Sequence, residues 1–192
     1  DPFQGQAVQI FQNTVGNPDL KPDIARNTEI GIVLARPSWA PGLSLSVDYY
    51  DIKLSGVVSS LSAQQIVQFC FEGNQAFCGG FSLDNANQQL NYVNVQPFNL
   101  ASWKTSGFDI EASYQWQQPL GLPGSLTLRA LGTHIRKFIV SAGIDGVDPV
   151  DQAGANNGAT PDWKWLAVQT YDSGRLSLTV QERWFSDGTF GN

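Results

Sequence analysis

The stretch FDIEASYQW, residues 108–116, decides the fold class because apolar and polar side chains alternate through it without a break. Phe, Ile, Ala, Tyr and Trp occupy every second position, and Asp, Glu, Ser and Gln occupy the positions between them. Successive side chains of a β-strand point to opposite faces of its sheet, so this segment predicts a strand with one apolar face and one acidic, polar face. The apolar face must contact either a protein core or lipid.

The same alternation recurs along the chain in pairs of segments joined by turn residues. TEIGIVLA leads through the turn RPSWAPG into LSLSVDYYDIKL, and the quoted stretch leads through QQPLGLPG into SLTLRALGTHIRK. A third pair, DWKWLAVQTY and RLSLTVQERWF, is joined by the tight turn DSG. The pattern predicts three antiparallel hairpins, at residues 28–54, 103–136 and 162–186.

The phase of the strand at residues 162–171 stays open. Either Trp163, Trp165 and Ala167 or the alternate residues Leu166 and Val168 could face the apolar side.

The connections between the hairpins are long, at residues 1–27, 55–102 and 137–161, whereas the turns within the hairpins are short. Within the second of these loops, SLSAQQIVQFC has the spacing of a short helix, on which Leu61, Gln65, Ile66 and Phe69 could share a face. The stretch QQLNYVNVQPF predicts a short strand. Short turns at one end of every hairpin and long loops at the other end are typical of an outer-membrane β-barrel.

Aromatic residues cluster near both ends of the predicted strands, as expected where strands cross the two lipid–water interfaces. Those near the short turns are Trp39, Trp116 and Tyr171; those near the long loops are Tyr49, Trp103, Trp163, Trp165, Trp184 and Phe185. The three hairpins supply about six strands, fewer than the roughly eight with which single-chain barrels begin. We therefore expect the chain to form an interior part of a larger barrel.

The alternative is a soluble β-sandwich, secreted or exposed at the cell surface, that serves adhesion or carbohydrate binding. Its aromatic side chains would form the core and a binding platform. The alternation of short and long connections favours the barrel, because a sandwich gives no reason for it. The polar faces, which are rich in Ser, Thr, Gln, Asp and Glu and poor in Lys, also favour the barrel.

Composition argues against several function classes. The net charge of −6 does not suit a nucleic-acid partner, whose phosphates require clustered Lys and Arg. One histidine, His134, and no GxSxG motif leave no nucleophile–base pair, so we expect no enzyme activity. The acidic stretch DGVDPVD could collect Ca²⁺ through Asp145, Asp148 and Asp151, but it lacks EF-hand spacing, and we expect neither a metal site nor a cofactor.

Cys70 and Cys78 are the two cysteines of the chain. Their spacing is not that of a CxxC redox or zinc pair, and a local disulfide is the simplest interpretation. That bond would place the chain outside the reducing cytosol, while two free thiols remain the alternative.

Four motifs, in order, resemble the β-barrel domain of TonB-dependent outer-membrane receptors. They are GNPDLKPD followed by ARNTEIGI, the paired cysteines in a long loop, FNLASWKTSGFDIEASYQW, and LSLTVQERWFSDGTF. The paired cysteines are similar to those of one branch of that family. Asp23 stands where the family usually has Glu, which preserves the carboxylate.

The resemblance implies a partial all-β, antiparallel barrel domain, belonging to a 22-stranded barrel with a plugged lumen in the bacterial outer membrane. It implies TonB-energised uptake of a large ligand, which could be a siderophore, cobalamin, an oligosaccharide or a peptide. The implied partners are outer-membrane lipid, the remaining barrel strands, a plug domain absent from this sequence, and the TonB complex acting through that plug. Charged residues expected to face the lumen are Glu29, Asp48, Asp109, Glu111, Arg129 and Arg175.

Overall fold

A computed structural model of the chain describes residues 10–83, 90–155 and 160–189. Its strands are β1 Phe11–Thr14, β2 Ile24–Ala35, β3 Leu43–Ser60, β4 Phe81–Leu83, β5 Leu90–Val95, β6 Pro97–Gln117, β7 Ser125–Ser141, β8 Val150–Asp151, β9 Trp163–Asp172 and β10 Ser177–Phe185. One α-helix, α1, spans Ala63–Phe71, and 3₁₀ helices span Gln75–Gly80 and Pro119–Gly121. The expected all-β class is confirmed.

The larger sheet has seven strands, with β10, β9, β7, β6, β3 and β2 in that order and the short β8 paired to β7. Its order is that of three consecutive hairpins, as the alternating segments predict. The sheet does not close on itself. A smaller sheet has the order β1-β5-β4, in which β1 runs parallel to β5 and β4 runs antiparallel to it.

The pairing of β7 with β9 decides the phase that the sequence leaves open. Trp165 lies opposite Gly132, and Ala167 lies opposite Ala130. Residues directly opposite each other in an antiparallel pair project to the same face, so Trp165 and Ala167 share the face of Ala130. The indole of Trp165 occupies the space above Gly132, where a Cβ would overlap the ring.

The larger sheet therefore has an apolar face and a polar face, defined by alternate residues of each strand. The apolar face includes Ile30, Ile32, Val47, Tyr49, Phe108, Ile110, Leu128, Ala130, Trp163, Trp165, Leu178 and Val180. The polar face includes Glu29, Asp48, Asp109, Glu111, Arg129, Thr133, Thr170 and Thr179. Tyr49 and Phe108 meet on the apolar face with their ring centroids 5.2 Å apart.

The chain divides into two compact units, which we name by their origin. The loop unit comprises the described residues within Asp1–Ile24, Leu54–Ser102 and Ser141–Asp148. The sheet unit comprises the described residues within Ala25–Lys53, Trp103–Val140 and Pro149–Asn192. The parts of the chain predicted as long loops thus contribute a folded unit with secondary structure of its own.

Helix α1 forms because its sequence carries a complete N-terminal capping box. The Ser62 side chain accepts a hydrogen bond from the backbone N–H of Gln65, and the Gln65 side chain accepts one from the backbone N–H of Ser62. The predicted helix is confirmed, but its buried face consists of Ala63, Ile66 and Val67. Gln65 was placed on the wrong face, because its amide serves the cap and stays exposed.

The core of the loop unit gathers side chains from the helix, the small sheet and the connections. Its buried members are Ala63, Ile66, Val67, Phe77, Leu90, Val93, Val95 and Ile144. Val93 is fully buried, and the ring of Phe77 lies between those of Phe69 and Phe98 at centroid distances of 5.8 and 6.1 Å. Within the described ranges, no helix has the length and apolar character needed to cross a membrane.

Candidate functional site

Two of the sequence motifs meet in the loop unit through a single amide side chain. The Oδ1 atom of Asn99, in the FNL motif at the start of β6, accepts a hydrogen bond from the backbone N–H of Lys21 at 2.8 Å. Its Nδ2 atom donates to the backbone carbonyls of Lys21 and Gly56, both at 2.7 Å. Asn99 therefore fixes the NPDLKP segment against strand β3.

A second amide reinforces the same contact. Asn17 donates from Nδ2 to the carbonyl of Pro97 at 2.9 Å, and its Oδ1 accepts from the backbone N–H of Asp19. The roles of Asn17 and Asn99 were missed in the sequence, although both residues lie in motifs that were singled out. The partners are about 80 positions apart in the chain, so spacing could not reveal them.

A disulfide joins Cys70, near the end of α1, to Cys78 in the following 3₁₀ helix, with a Cα–Cα distance of 5.0 Å. The predicted local disulfide is thereby confirmed. Between the two cysteines, the Asn74 side chain caps the 3₁₀ helix by accepting a hydrogen bond from the N–H of Ala76. The bond and this cap together hold the turn that carries Phe77 into the core.

A cavity of about 280 Å³ lies beside that turn, within the loop unit. Its lining residues are Val15, Ile66, Ala76, Phe77, Gly79, Gly80, Asn94, Gln96 and Phe98. The lining combines apolar and aromatic residues, among them Phe77 and Phe98, with the polar residues Asn94 and Gln96. In the part of the chain that the structure describes, the side-chain amides of Asn94 and Gln96 have no hydrogen-bond partner, so both remain available as donors and acceptors.

The polar face of the sheet unit carries a connected set of charged and hydroxyl side chains. Arg129 donates to Glu111, with a distance of 2.8 Å between guanidinium and carboxylate, and both side chains are about half exposed. The Thr133 hydroxyl donates to the Asp109 carboxylate at 2.7 Å. Within the described ranges, the Arg129–Glu111 pair is the ion pair observed between side chains.

The structure brings most of the sequence-predicted lumen residues to this polar face. Glu29 lies on the face of Gly31, and the Asp48 carboxylate occupies the space above Gly31, where a Cβ would overlap it. Arg175 is placed differently, because β10 begins at Ser177 and Arg175 therefore lies in the turn after β9.

A serine, a histidine and an aspartate lie together near the start of β9 without forming a catalytic arrangement. The Ser186 hydroxyl donates to the Asp162 carboxylate, and His134 Nδ1 faces the backbone carbonyl of Asp162 at 3.1 Å. The His134 ring stacks on Trp163 with a centroid distance of 4.3 Å. In the described residues the imidazole has no hydrogen bond to the serine, which general-base activation would require.

The acidic stretch considered for Ca²⁺ does not form a metal site among the residues that the structure describes. The Asp151 carboxylate instead accepts hydrogen bonds from the backbone N–H groups of Phe138 and Ala153. Its Oδ1 atom therefore bonds both strand β7 and the turn that follows β8.

Comparison with known proteins gives one family. The family model described as "TonB dependent receptor-like, beta-barrel" matches residues 2–192. No curated protein and no solved structure matches the chain.

Proposed function

The chain belongs to the TonB-dependent receptor β-barrel family, and on that premise we propose that it forms part of the barrel wall and surface loops of a receptor that imports a large ligand. Family membership supports transport across the outer membrane of a bacterium, and the members of this family are transporters, not enzymes. It also implies a plug domain and an interaction with TonB in the parent protein.

The observation that carries the proposal is the distribution of buried apolar residues. The ten buried hydrophobic residues found in the described ranges all belong to the loop unit. Apolar residues of the sheet unit stay accessible: Val47 and Leu128, on inner strands of the sheet, are each 37% exposed. A soluble sandwich would bury one such face in its core, whereas a barrel turns it toward lipid.

The polar face supports a lumen assignment for Glu29, Asp48, Asp109, Glu111 and Arg129. Charged side chains on the lipid side of a barrel cost about 2–4 kcal/mol near the midplane, whereas the lumen tolerates them. These residues would contact water or the plug. Arg175, in a short turn, would face the periplasm.

The loop unit would stand on the outer surface and contact the ligand. Its capped helix, disulfide and core give a rigid support, and the lining of its cavity includes Asn94 and Gln96 together with Phe77 and Phe98. Amide groups recognise hydroxyl, amide and carboxylate groups, which occur in siderophores, cobalamin, oligosaccharides and peptides alike. The proposed ligand therefore belongs to one of these four classes.

Cysteine labelling of the full-length receptor in intact cells tests the orientation. Asp145→Cys places a thiol in the loop unit, and Ser38→Cys places one in the short turn between β2 and β3; both positions are exposed. A membrane-impermeant maleimide is expected to label Asp145→Cys in intact cells and Ser38→Cys only after the outer membrane is opened. Equal labelling of both positions in intact cells would contradict the proposed orientation.

Growth assays test the transport itself. Cells carrying the receptor, with and without a functional TonB, are supplied with one ligand class at a time as the limiting nutrient. The proposal expects one class to support growth only when receptor and TonB are both present. If growth on every ligand class is the same without the receptor or without TonB, the proposed transport function is overturned.

A further inference from the structure

The connection between strands β7 and β8 carries an Asp–Gly dipeptide at the tip of a tight turn. The backbone N–H of Val147 donates to the carbonyl of Ile144 at 3.1 Å, which closes a four-residue β-turn over residues 144–147. Gly146 is the third residue of that turn and has a φ of +83°. A positive φ at this position is typical of a type II turn, and glycine adopts it without steric cost.

The ends of this turn are anchored, whereas its tip lies in solvent. Ile144 is 7% exposed and belongs to the core of the loop unit, and Val147 packs against that core. Gly143 lies so close to strand β6 that a Cβ would overlap a backbone carbonyl. Asp145 and Gly146 are exposed, and a Cβ added to Gly146 would meet no other atom within 4 Å. The turn therefore connects an accessible dipeptide directly to a buried residue.

The two groups of the dipeptide that can react with each other are not engaged elsewhere. Within the described residues, the Asp145 carboxylate has neither a hydrogen bond nor an ion pair, and the backbone N–H of Gly146 has no acceptor. The Asp151 carboxylate differs, because it accepts two backbone hydrogen bonds. Asp145 and Gly146 are thus the accessible electrophile and nucleophile of this connection.

An aspartate followed by glycine can cyclise, because glycine has no side chain to obstruct attack of its nitrogen on the carboxyl carbon. The Gly146 nitrogen bonds to Cγ of Asp145 and loses its proton, and one carboxyl oxygen leaves as water. The product is a five-membered succinimide. Water then adds to one of the two ring carbonyls: opening at Cγ restores aspartate, whereas opening at the backbone carbonyl leaves the chain running through Cγ as isoaspartate. The overall composition is unchanged, and no oxidant or reductant is consumed.

Asp187–Gly188 is the other Asp–Gly dipeptide of the chain and gives an internal comparison. Asp187 is only half-exposed. On either side of the dipeptide, the side chain of Ser186 and the backbone N–H of Thr189 donate hydrogen bonds to other parts of the chain. A dipeptide held on both sides reaches the cyclic geometry less often, so we expect Asp145–Gly146 to react first.

We propose that Asp145–Gly146 is a site of spontaneous backbone modification, at which Asp145 converts to isoaspartate, and that the conversion withdraws Ile144 from the core of the loop unit. Isoaspartate adds one carbon atom to the backbone between Ile144 and Val147, which the turn hydrogen bond joins. Because protein interiors are close-packed, a shift of Ile144 disturbs the side chains around it. The inference uses only the loop unit and does not depend on transport.

The test follows individual aspartates of the full-length receptor during incubation in detergent at mildly acidic pH. Acidity increases the protonated carboxyl form, from which water leaves readily, and slows the base-catalysed reaction of asparagine at Asn157–Gly158. After denaturation, the protease Asp-N cleaves before aspartate but not before isoaspartate. Peptide mass spectrometry then measures the uncleaved fraction at position 145 separately from every other position.

Conversion at position 145 is expected to rise with time and to exceed conversion at Asp187. No conversion at position 145, or equal conversion at the two aspartates, would overturn the assignment of the site. At neutral pH, Asp145→Asn is expected to convert faster than the wild type, because its amide is not ionised and leaves as ammonia. A rate no higher than that of the wild type would show that the turn prevents cyclisation, and would also overturn the assignment.

Hydrogen exchange measures the consequence for the core. The incubated wild type is expected to show faster exchange in α1 and β5, in proportion to its isoaspartate content. Asp145→Glu is the matched control, because it keeps the carboxylate and Gly146 but requires a six-membered imide, which forms far more slowly. The incubated control is expected to exchange like fresh protein.

Two results of this comparison would contradict the second part of the proposal. Isoaspartate at position 145 with unchanged exchange in α1 and β5 would show that Ile144 stays in place. An equal increase of exchange in the wild type and in Asp145→Glu would assign the loosening to incubation in detergent and not to the modification.

Discussion

The loop unit and the sheet unit differ in the exposure of their apolar side chains. In the loop unit, Ile66, Val67 and Val93 are each at most 2% exposed, and a disulfide adds a covalent restraint. In the sheet unit, apolar residues alternate with polar ones and stay accessible. The loop unit is built like a small water-soluble domain, whereas the sheet unit requires an apolar solvent on one face.

The largest expected effect comes from removing the centre of the loop-unit core. Phe77→Ala deletes a buried ring that contacts two others, and such substitutions cost about 3–5 kcal/mol. Hydrogen exchange of the full-length receptor is expected to show faster opening of α1 and of strand β5, with the amides of β7 and β9 unchanged.

Phe11→Ala provides the control for this substitution, because Phe11 is 80% exposed and its removal is expected to leave exchange in α1 unchanged. If the strands of the sheet unit opened in parallel with α1 in Phe77→Ala, the two units would not be energetically separate.

A charge on the apolar face tests the sheet unit in the same way. Ile110→Arg places a cation near the membrane midplane and is expected to cost about 2–4 kcal/mol of insertion stability. Denaturant titration of the receptor in lipid vesicles measures the loss.

Ser113→Arg lies three residues away on the polar face and serves as the matched control. It is expected to change stability little, because the lumen tolerates charge. An equal loss in both variants would remove the distinction between the two faces.

A smaller loss of stability is expected at the contact between the NPDLKP segment and the FNL motif, where Asn99 lies. Asn99→Ala removes three hydrogen bonds to backbone groups of Lys21 and Gly56, and groups left without partners cost about 1–3 kcal/mol. Chymotrypsin is expected to cleave after Leu20 faster than in the wild type, as measured by mass spectrometry.

Asn17→Ala removes one long-range bond from the same contact and is expected to accelerate this cleavage less. Cleavage at the wild-type rate in Asn99→Ala would show that this amide does not hold the segment.

The smallest effect is expected at the ion pair on the polar face. Glu111 and Arg129 have side chains that are 44% and 51% exposed, and exposed pairs contribute about 0.2–1 kcal/mol. A double-mutant cycle with Glu111→Gln and Arg129→Gln measures the coupling energy, which is expected to shrink with added salt. A coupling of about 3 kcal/mol, unaffected by salt, would indicate a dry environment and contradict a wet lumen.

The local sequence pattern was sufficient to predict most strands of the larger sheet. Strict alternation and turn residues predicted the three hairpins, because both signals act over neighbouring residues. Strand β9 was different: Trp163 and Trp165 are apolar, but so are Leu166 and Val168, and only pairing with Gly132 and its neighbours on β7 fixed the phase.

The helix of the loop unit shows a signal that was present and missed. Ser62 and Gln65 have the spacing of a capping box, yet periodicity alone predicts Gln65 on the same face as Ile66. Asn99 shows the opposite case, since its partner Lys21 lies 78 positions away and no local rule connects them.

The most direct test of the central claim, that the apolar face of the sheet contacts lipid, is a nitroxide scan of residues 109–114 on β6 in the full-length receptor, reconstituted in a bilayer. Collision rates with oxygen, which concentrates in lipid, and with a water-soluble nickel complex are measured at each position. We expect a period of two, with oxygen access high at Ile110, Ala112 and Tyr114 and low at Asp109, Glu111 and Ser113. A scan without alternation, or with oxygen access highest at the acidic positions, would contradict the account.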